Sequence, residues 1–436
     1  MTITSDATPT RLDLAALHSS LADPALESMN FLNEIAGRYP EAVSLAAGRP
    51  SEEFFAIEDV HRYLRRFERH LTEGQGLTPE QAARTFLQYG RTKGVIHELV
   101  ARNLAVDEGI TVDPASVVVT VGCQEAVFLV LRALRTDERD AVLAVAPTYV
   151  GLTGAARLVD MPVRTVRSGP RGVDLDDLAA VLRRARADGL RPRAFYLLPD
   201  HSNPSGLSLD LATRHALLDL AEREDLLLLE DNPYGLFSAG DERLPTLKAL
   251  DTRRRVVYLG SYAKTGLPGA RIGFVVADQE VVTPGGATGL FADELAKLKS
   301  MVTVNTSPIA QAVIAGKLLE HEGSLVRANE RETARYRENL RRLLAALADH
   351  FPPGSPVTWN TPTGGFFLVV TVPFEADDAL LEASAQDYGV LWTPMRHFHD
   401  APEAAKQLRL SVSVLTLDQV EEGARRLARL LADRLG

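Results

Sequence analysis

From residue 117 to residue 276, short apolar runs rich in β-branched residues alternate with longer amphipathic ones, and few architectures accept that rhythm. Residues 117–121 read as a buried strand and residues 124–135 as the helix after it. Further strand candidates lie at 141–146, 194–198, 226–229, 256–259 and 272–276, with helical patterns at 174–186 and 209–224. Strands separated by helices form a mainly parallel sheet covered on both faces, so the expected fold class is α/β. Ligands on such sheets collect where the strands end.

The pattern changes after Ser307-Pro308. A helical, charge-laced stretch runs to about residue 350. Strand-like runs at 366–372, 390–393 and 408–414, a helix at 377–386 and a closing helix from Leu417 then predict a smaller α+β domain. The expected division is a flexible segment 1–23, a segment 24–75 packing on the small domain at the substrate entrance, a large domain 76–310 and a small domain 311–436. The length of 436 residues agrees with more than one core.

Composition narrows the partners. Apolar residues make up 45% and charged residues 24%, the balance of a globular protein. A net charge of −10 argues against a nucleic-acid surface or a polybasic membrane patch, while leaving room for a local anion pocket. No window holds the roughly 18 uninterrupted apolar residues of a membrane span. Residues 1–9 do not read as a signal peptide. The single cysteine, Cys123, excludes an intrachain disulfide and fits a reducing cytoplasm.

The residues with chemistry fall at strand ends. In Ser261-Tyr262-Ala263-Lys264-Thr265-Gly266-Leu267-Pro268-Gly269-Ala270-Arg271-Ile272-Gly273, one lysine follows an apolar strand among small residues. A lysine shielded from water loses its proton more easily and becomes a nucleophile able to hold an aldehyde cofactor. Arg271 could clamp a phosphate; an exposed loop with ordinary charges is the plainer reading. Gly122-Cys123-Gln124 opens a helix, where backbone amides turn toward an anion. Asp231 ends a strand containing four leucines, a costly place for a carboxylate unless it is paired or caps a helix. Asn203 sits in an Asn-Pro-x-Gly segment that would serve equally as a turn. Tyr149 follows a strand and reads as a core aromatic or a stacking platform. Arg409, in an apolar strand-like run, needs an anion, either a substrate or a structural carboxylate.

Taken in order, these residues resemble the class I/II aminotransferases that use pyridoxal 5'-phosphate (PLP). Ser261, Lys264, Pro268, Gly269, Arg271 and Gly273 match that family's lysine motif, and the other matches span nearly the whole chain. The resemblance implies a fold-type I homodimer with shared active sites. It implies Lys264 as the catalytic, cofactor-bearing residue, and Gly122, Cys123, Gln124, Ser261 and Arg271 around the phosphate. Asp231 would face the ring nitrogen, Asn203 and Tyr234 the phenolic oxygen, and Tyr149 the ring. Tyr89 would reach the neighbouring subunit's phosphate, and Gly365 matches a small-domain turn near the substrate. Gly48, Arg49, Asn203 and Arg409 would contact the substrate, Arg409 through its α-carboxylate. Two departures stand out: Ala263 and Cys123 occupy places where the family usually has serine.

Residues 29–34, Gly48-Arg49-Pro50, residues 121–125 and Asp200-His201-Ser202-Asn203-Pro204 look like the transaminases that make (S)-3,5-dihydroxyphenylglycine in antibiotic biosynthesis. This implies an aromatic or arylglycine substrate, with Arg49 or His201 facing its side chain. Arg49 paired with Glu52 or Glu53 is the alternative. Other PLP chemistry, such as β-elimination, decarboxylation or oxidation, would use the same pocket. A non-catalytic effector-binding module fits less well, because such regulators carry a DNA-binding domain that the short stretch before Gly48 does not accommodate.

Overall fold

A computed structural model of the chain describes residues 10–23, 26, 34–35, 37–169, 172–240 and 243–436. Its centre is a seven-stranded sheet built from β1 (Val117–Val121), β2 (Asp140–Ala146), β3 (Val163–Arg167), β4 (Arg191–Leu197), β5 (Leu227–Asp231), β6 (Val256–Ser261) and β7 (Ile272–Val276). The spatial order is β1-β7-β6-β5-β4-β2-β3. Only β7 runs against its neighbours, pairing antiparallel with both β1 and β6; the other pairs are parallel. Val117, Val118 and Val119 of β1, Leu228 and Leu229 of β5, and the valines and leucines of β6 and β7 are buried on both faces, which a doubly covered parallel sheet requires.

The apolar rhythm predicts this sheet except for β3. That strand is Val-Arg-Thr-Val-Arg at the sheet edge, with both arginines exposed. Charged edge strands block further pairing, and the same charges hide the strand from an apolar pattern search. Helix α1 (Gly122–Leu134) follows β1 directly and buries Val127, Val130 and Leu131 against the sheet.

The helical stretch after Ser307 is not continuous. α2 (Pro308–Glu320) starts with Ser307 as its cap and proline at its first position. The chain then turns through Glu322 and Gly323, both at positive φ, and α3 runs from Glu330 to His350. A second sheet, β8 (Thr358–Trp359), β9 (Phe367–Thr371), β10 (Thr393–Pro394) and β11 (Gln407–Ser411), has the order β8-β9-β11-β10 and is antiparallel throughout. It shares an apolar core with α3 and the closing helix α4 (Leu417–Leu435). Ile35 and Leu45 are buried in that core, and Val43–Ser44 pairs in parallel with Val390–Leu391. Both ends of the chain therefore build one layer. Of the 29–34 segment, residues 29–33 lie outside the described residues.

Candidate active site

Parallel strands deliver their carboxyl ends to one edge of the sheet, and that edge gathers residues far apart in sequence. Asp231 is the last residue of β5 and Ser261 the last of β6. Gly122 opens α1, Tyr149 follows β2, and Asn203 lies in the loop after β4. Cys123, Gln124, Tyr149, Asn203, Asp231, Tyr234, Ser261, Lys264 and Arg271 line one cavity there. A wider cleft, about 1060 Å³, opens among Arg193, Arg253 and Arg255 near the opposite strand ends. Its arginines are already engaged by Asp140, Glu222 and Asp225.

The Lys264 amine donates to the Gly48 carbonyl oxygen at 2.7 Å. Burial, reinforced by the charges of Arg271 and Arg409, lowers its pKa to about 8. It therefore sheds its proton far more readily than an exposed lysine and becomes a nucleophile and base as pH rises through about 8. The loop around it is held from below: Lys317 Nζ and Asn329 Nδ2 donate to the Thr265 carbonyl oxygen at 2.8 and 2.9 Å.

At the other end of the cavity, Gly122 adopts φ +71°, and a Cβ there would overlap the Arg271 guanidinium. A Cβ on Gly273 would strike the Gly122–Cys123 backbone. The two glycines thus let β7 and its arginine close on the turn that opens α1. Glu125 accepts from Val121 N at 2.6 Å and from the fully buried Lys299 at 2.8 Å, which fixes that turn. The result is a cationic, amide-rich cup suited to a phosphate.

Asp231 is buried, and burial raises its carboxyl to about 6 against the downward pull of two donors. Tyr196 Oη donates to Oδ2 at 2.6 Å and Cys123 Sγ to Oδ1 at 3.5 Å. Asn203 and the buried Tyr234 line the same cavity. A cation cup, a buried anion, a phenol–amide pair and a buried amine in one cavity match the chemistry of PLP group by group.

Arg409 is buried between the rings of Phe367 and Phe398, 4.4 and 5.0 Å from their centroids. It donates to Asn203 Oδ1 at 2.7 Å, Ala46 O at 2.9 Å and Thr393 Oγ1 at 3.2 Å, all neutral oxygens. Its Nε is buried without a partner among the described residues. Among the described residues no carboxylate pairs with this arginine, so its charge is left available to an anion.

Three residues stand apart from the cavity. Arg49 turns to the surface and pairs with Glu52, the alternative raised by the sequence. His201 lies under the Gly364–Gly365 turn, its Nδ1 3.1 Å from the Ser208 hydroxyl, and burial lowers its pKa to about 4. Tyr89 is 86% exposed in the single chain. Sequence reading passed over Tyr196, Lys317 and Lys299, which carry no motif of their own. The adjacent Phe366-Phe367 pair was the available sign of an aromatic wall.

Fold and site define a PLP-dependent enzyme of fold type I that acts through a lysine. The model of the family described as aminotransferase class I and II matches residues 44–427, and the chain belongs to that family. It is 56% identical over 426 residues to an (S)-3,5-dihydroxyphenylglycine transaminase from Amycolatopsis orientalis, covering 98% of this chain and 96% of that one. It is 32% identical to a 2-aminoadipate transaminase from Thermus thermophilus, covering 90% of each. Among solved structures, a kynurenine aminotransferase from Pyrococcus horikoshii superposes with a TM-score of 0.80 at 26% identity, covering 97% and 98% of the two chains. The protein is therefore a PLP-dependent transaminase that uses amino acid and 2-oxo acid substrates. No described helix is long and apolar enough to cross a membrane.

Proposed function

We propose that this transaminase acts on an arylglycine such as 3,5-dihydroxyphenylglycine or its 2-oxo acid, in antibiotic biosynthesis. The 56% identity to the Amycolatopsis enzyme over almost the full chain carries this reading. When bound, PLP supplies an aldehyde carbon that takes up the amino group and a ring that accepts electrons from Cα.

The chain's own residues do the rest. Arg271, Ser261 and the Gly122-Cys123-Gln124 turn hold the phosphate, Asp231 the ring nitrogen, and Asn203 with Tyr234 the phenolic oxygen. Tyr149 lies against the ring. Arg409 takes the substrate α-carboxylate in its fork, which places Cα beside Lys264. The Lys264 amine, hydrogen-bonded to the Gly48 carbonyl, would accept the Cα proton as general base and return it as general acid to the cofactor's C4' carbon. The Asn203–Arg409 hydrogen bond ties carboxylate and cofactor sites together.

The enzyme works as a homodimer in which Tyr89 completes the neighbouring subunit's phosphate site. The exposed Leu87, Tyr89, Met301 and Val304 support this, since large apolar side chains in such number favour burial against a second copy. A separate apolar core supports a small domain distinct from the large one, but its edge falls beyond 310: Ala312, Ile314, Ala315 and Leu318 pack with Val117, Val119 and Phe274 of the large sheet, as do Phe67 and Leu71 of the 24–75 segment. The free thiol of Cys123 accords with a cytoplasmic location.

A half-reaction screen tests the substrate. Amino acids including aryl glycines are mixed with the PLP-loaded enzyme while the visible cofactor band is followed. Fastest loss with dihydroxyphenylglycine is expected; faster loss with glutamate, aminoadipate and tyrosine alike, and none with aryl glycines, overturns the assignment.

A further inference from the structure

Asp231 meets two side-chain donors of the protein, Tyr196 and Cys123. Tyr196 stands on β4, the strand beside β5, and is fully buried in the core below the cavity. Its hydroxyl hydrogen goes to Asp231 Oδ2 at 2.6 Å, a short bond between two buried groups. A hydroxyl buried in that apolar cluster would be costly without a partner, so the pair is mutually required. On the other carboxylate oxygen the donor is a thiol at 3.5 Å, much weaker than a hydroxyl would be.

We propose that Tyr196 is a positioning residue for the reaction: its hydroxyl holds the Asp231 carboxylate ionised and in the one orientation that meets the protonated ring nitrogen of the cofactor. This rests on the assignment of Asp231 to that nitrogen. The groups facing Asp231 are few. Tyr196 comes from β4, Cys123 from α1, Tyr149 from the start of the helix after β2, Tyr234 from the loop after β5, and Lys264 from the loop after β6. Of these, the Tyr196 hydroxyl and the Cys123 thiol hydrogen-bond the carboxylate, and both favour its charged form. Burial works the other way, so an Asp231 without Tyr196 would tend toward the neutral acid. Cys123 offers only a weak bond, which leaves the charge of Lys264 as the other compensation. Tyr196 does not line the cavity, so it acts only through Asp231.

The test uses the apoenzyme and two ligands, PLP and its 1-deaza analogue, in which carbon replaces the ring nitrogen. Tyr196→Phe keeps the ring that fills the core. It is expected to weaken PLP binding on the order of tenfold, as loss of a hydrogen bond to a charged group would, and the analogue by less than about twofold. Equal weakening of both ligands, or of neither, overturns the proposal. Asp231→Asn serves as reference. If it abolishes the preference for PLP over the analogue while Tyr196→Phe does not, the role of Tyr196 fails and the role of Asp231 stands. If neither variant changes the preference, both fail. In the double variant, Tyr196→Phe is expected to add nothing to Asp231→Asn; additive losses also overturn the proposal.

Discussion

The amine of Lys264 and the carbonyl of Gly48 meet at 2.7 Å across 216 positions of sequence. Gly48 belongs to a segment whose other carbonyls are tied to the small layer: Ala46 O to Arg409, Ala47 O to Ser411, and Arg49 O to Ser413. Gly48 alone reaches across to the lysine. A Cβ at that position would press on the Phe367 ring at 2.9 Å, so the glycine sets how closely the segment approaches. Amine position, substrate entrance and the Phe367–Arg409 stack are thus mechanically joined.

Lys264→Ala removes the proton carrier. Transamination is expected to fall by about 10²–10⁴-fold or more, with loss of the visible band of the bound cofactor. Stopped-flow turnover and an absorption spectrum check both. Retained turnover would overturn the assignment.

The same amine predicts a pH dependence. With its pKa lowered to about 8, it is mostly protonated below that pH and cannot accept a proton. In single turnovers of the aminated cofactor with a 2-oxo acid, the rate should rise with pH and level off above about 8. A profile that is flat across that range would contradict Lys264 as the base.

Gly122→Ala places a side chain at positive φ and against Arg271. Strain of this kind costs about 1–3 kcal/mol, so PLP affinity should fall by about 5- to 150-fold. Gly285→Ala, where a Cβ meets nothing within 4 Å, is the control. Equilibrium titration of the apoenzymes separates them; equal affinities would show that the turn does not bind the phosphate.

Arg409→Lys keeps the charge and loses the planar fork. The KM for amino acid substrates should rise roughly 30-fold or more, with a smaller change in kcat. A loss confined to kcat would move Arg409 out of substrate binding.

Arg49 bears on specificity. Its surface ion pair with Glu52 is worth no more than about 1 kcal/mol, so an incoming polar aryl group could draw it inward. Arg49→Leu is then expected to lower kcat/KM for hydroxyaryl substrates selectively. An equal effect on all substrates would leave it as a surface pair.

Local chemistry alone determined the alternation of buried strands and helices, and with it the sheet apart from its charged edge strand β3, because β-branched runs and amphipathic periods are properties of neighbouring residues. It also placed Asp231, Ser261 and Gly122 within two residues of expected strand ends; their cofactor roles came from the resemblance to the aminotransferases. Tertiary structure decided the rest. Whether Arg409 faced a structural carboxylate or an open site depended on Asn203, Ala46 and Thr393, none of them near it in sequence. Tyr196 became a partner of Asp231 only because β4 and β5 pair in a register that sets Tyr196 beside Leu229, two residues before the aspartate. Arg49, attractive in sequence, turned outward to Glu52 because its backbone, not its side chain, is what the site holds. Contacts across hundreds of residues leave no local period to read, and they are what converts a lysine motif into an active site.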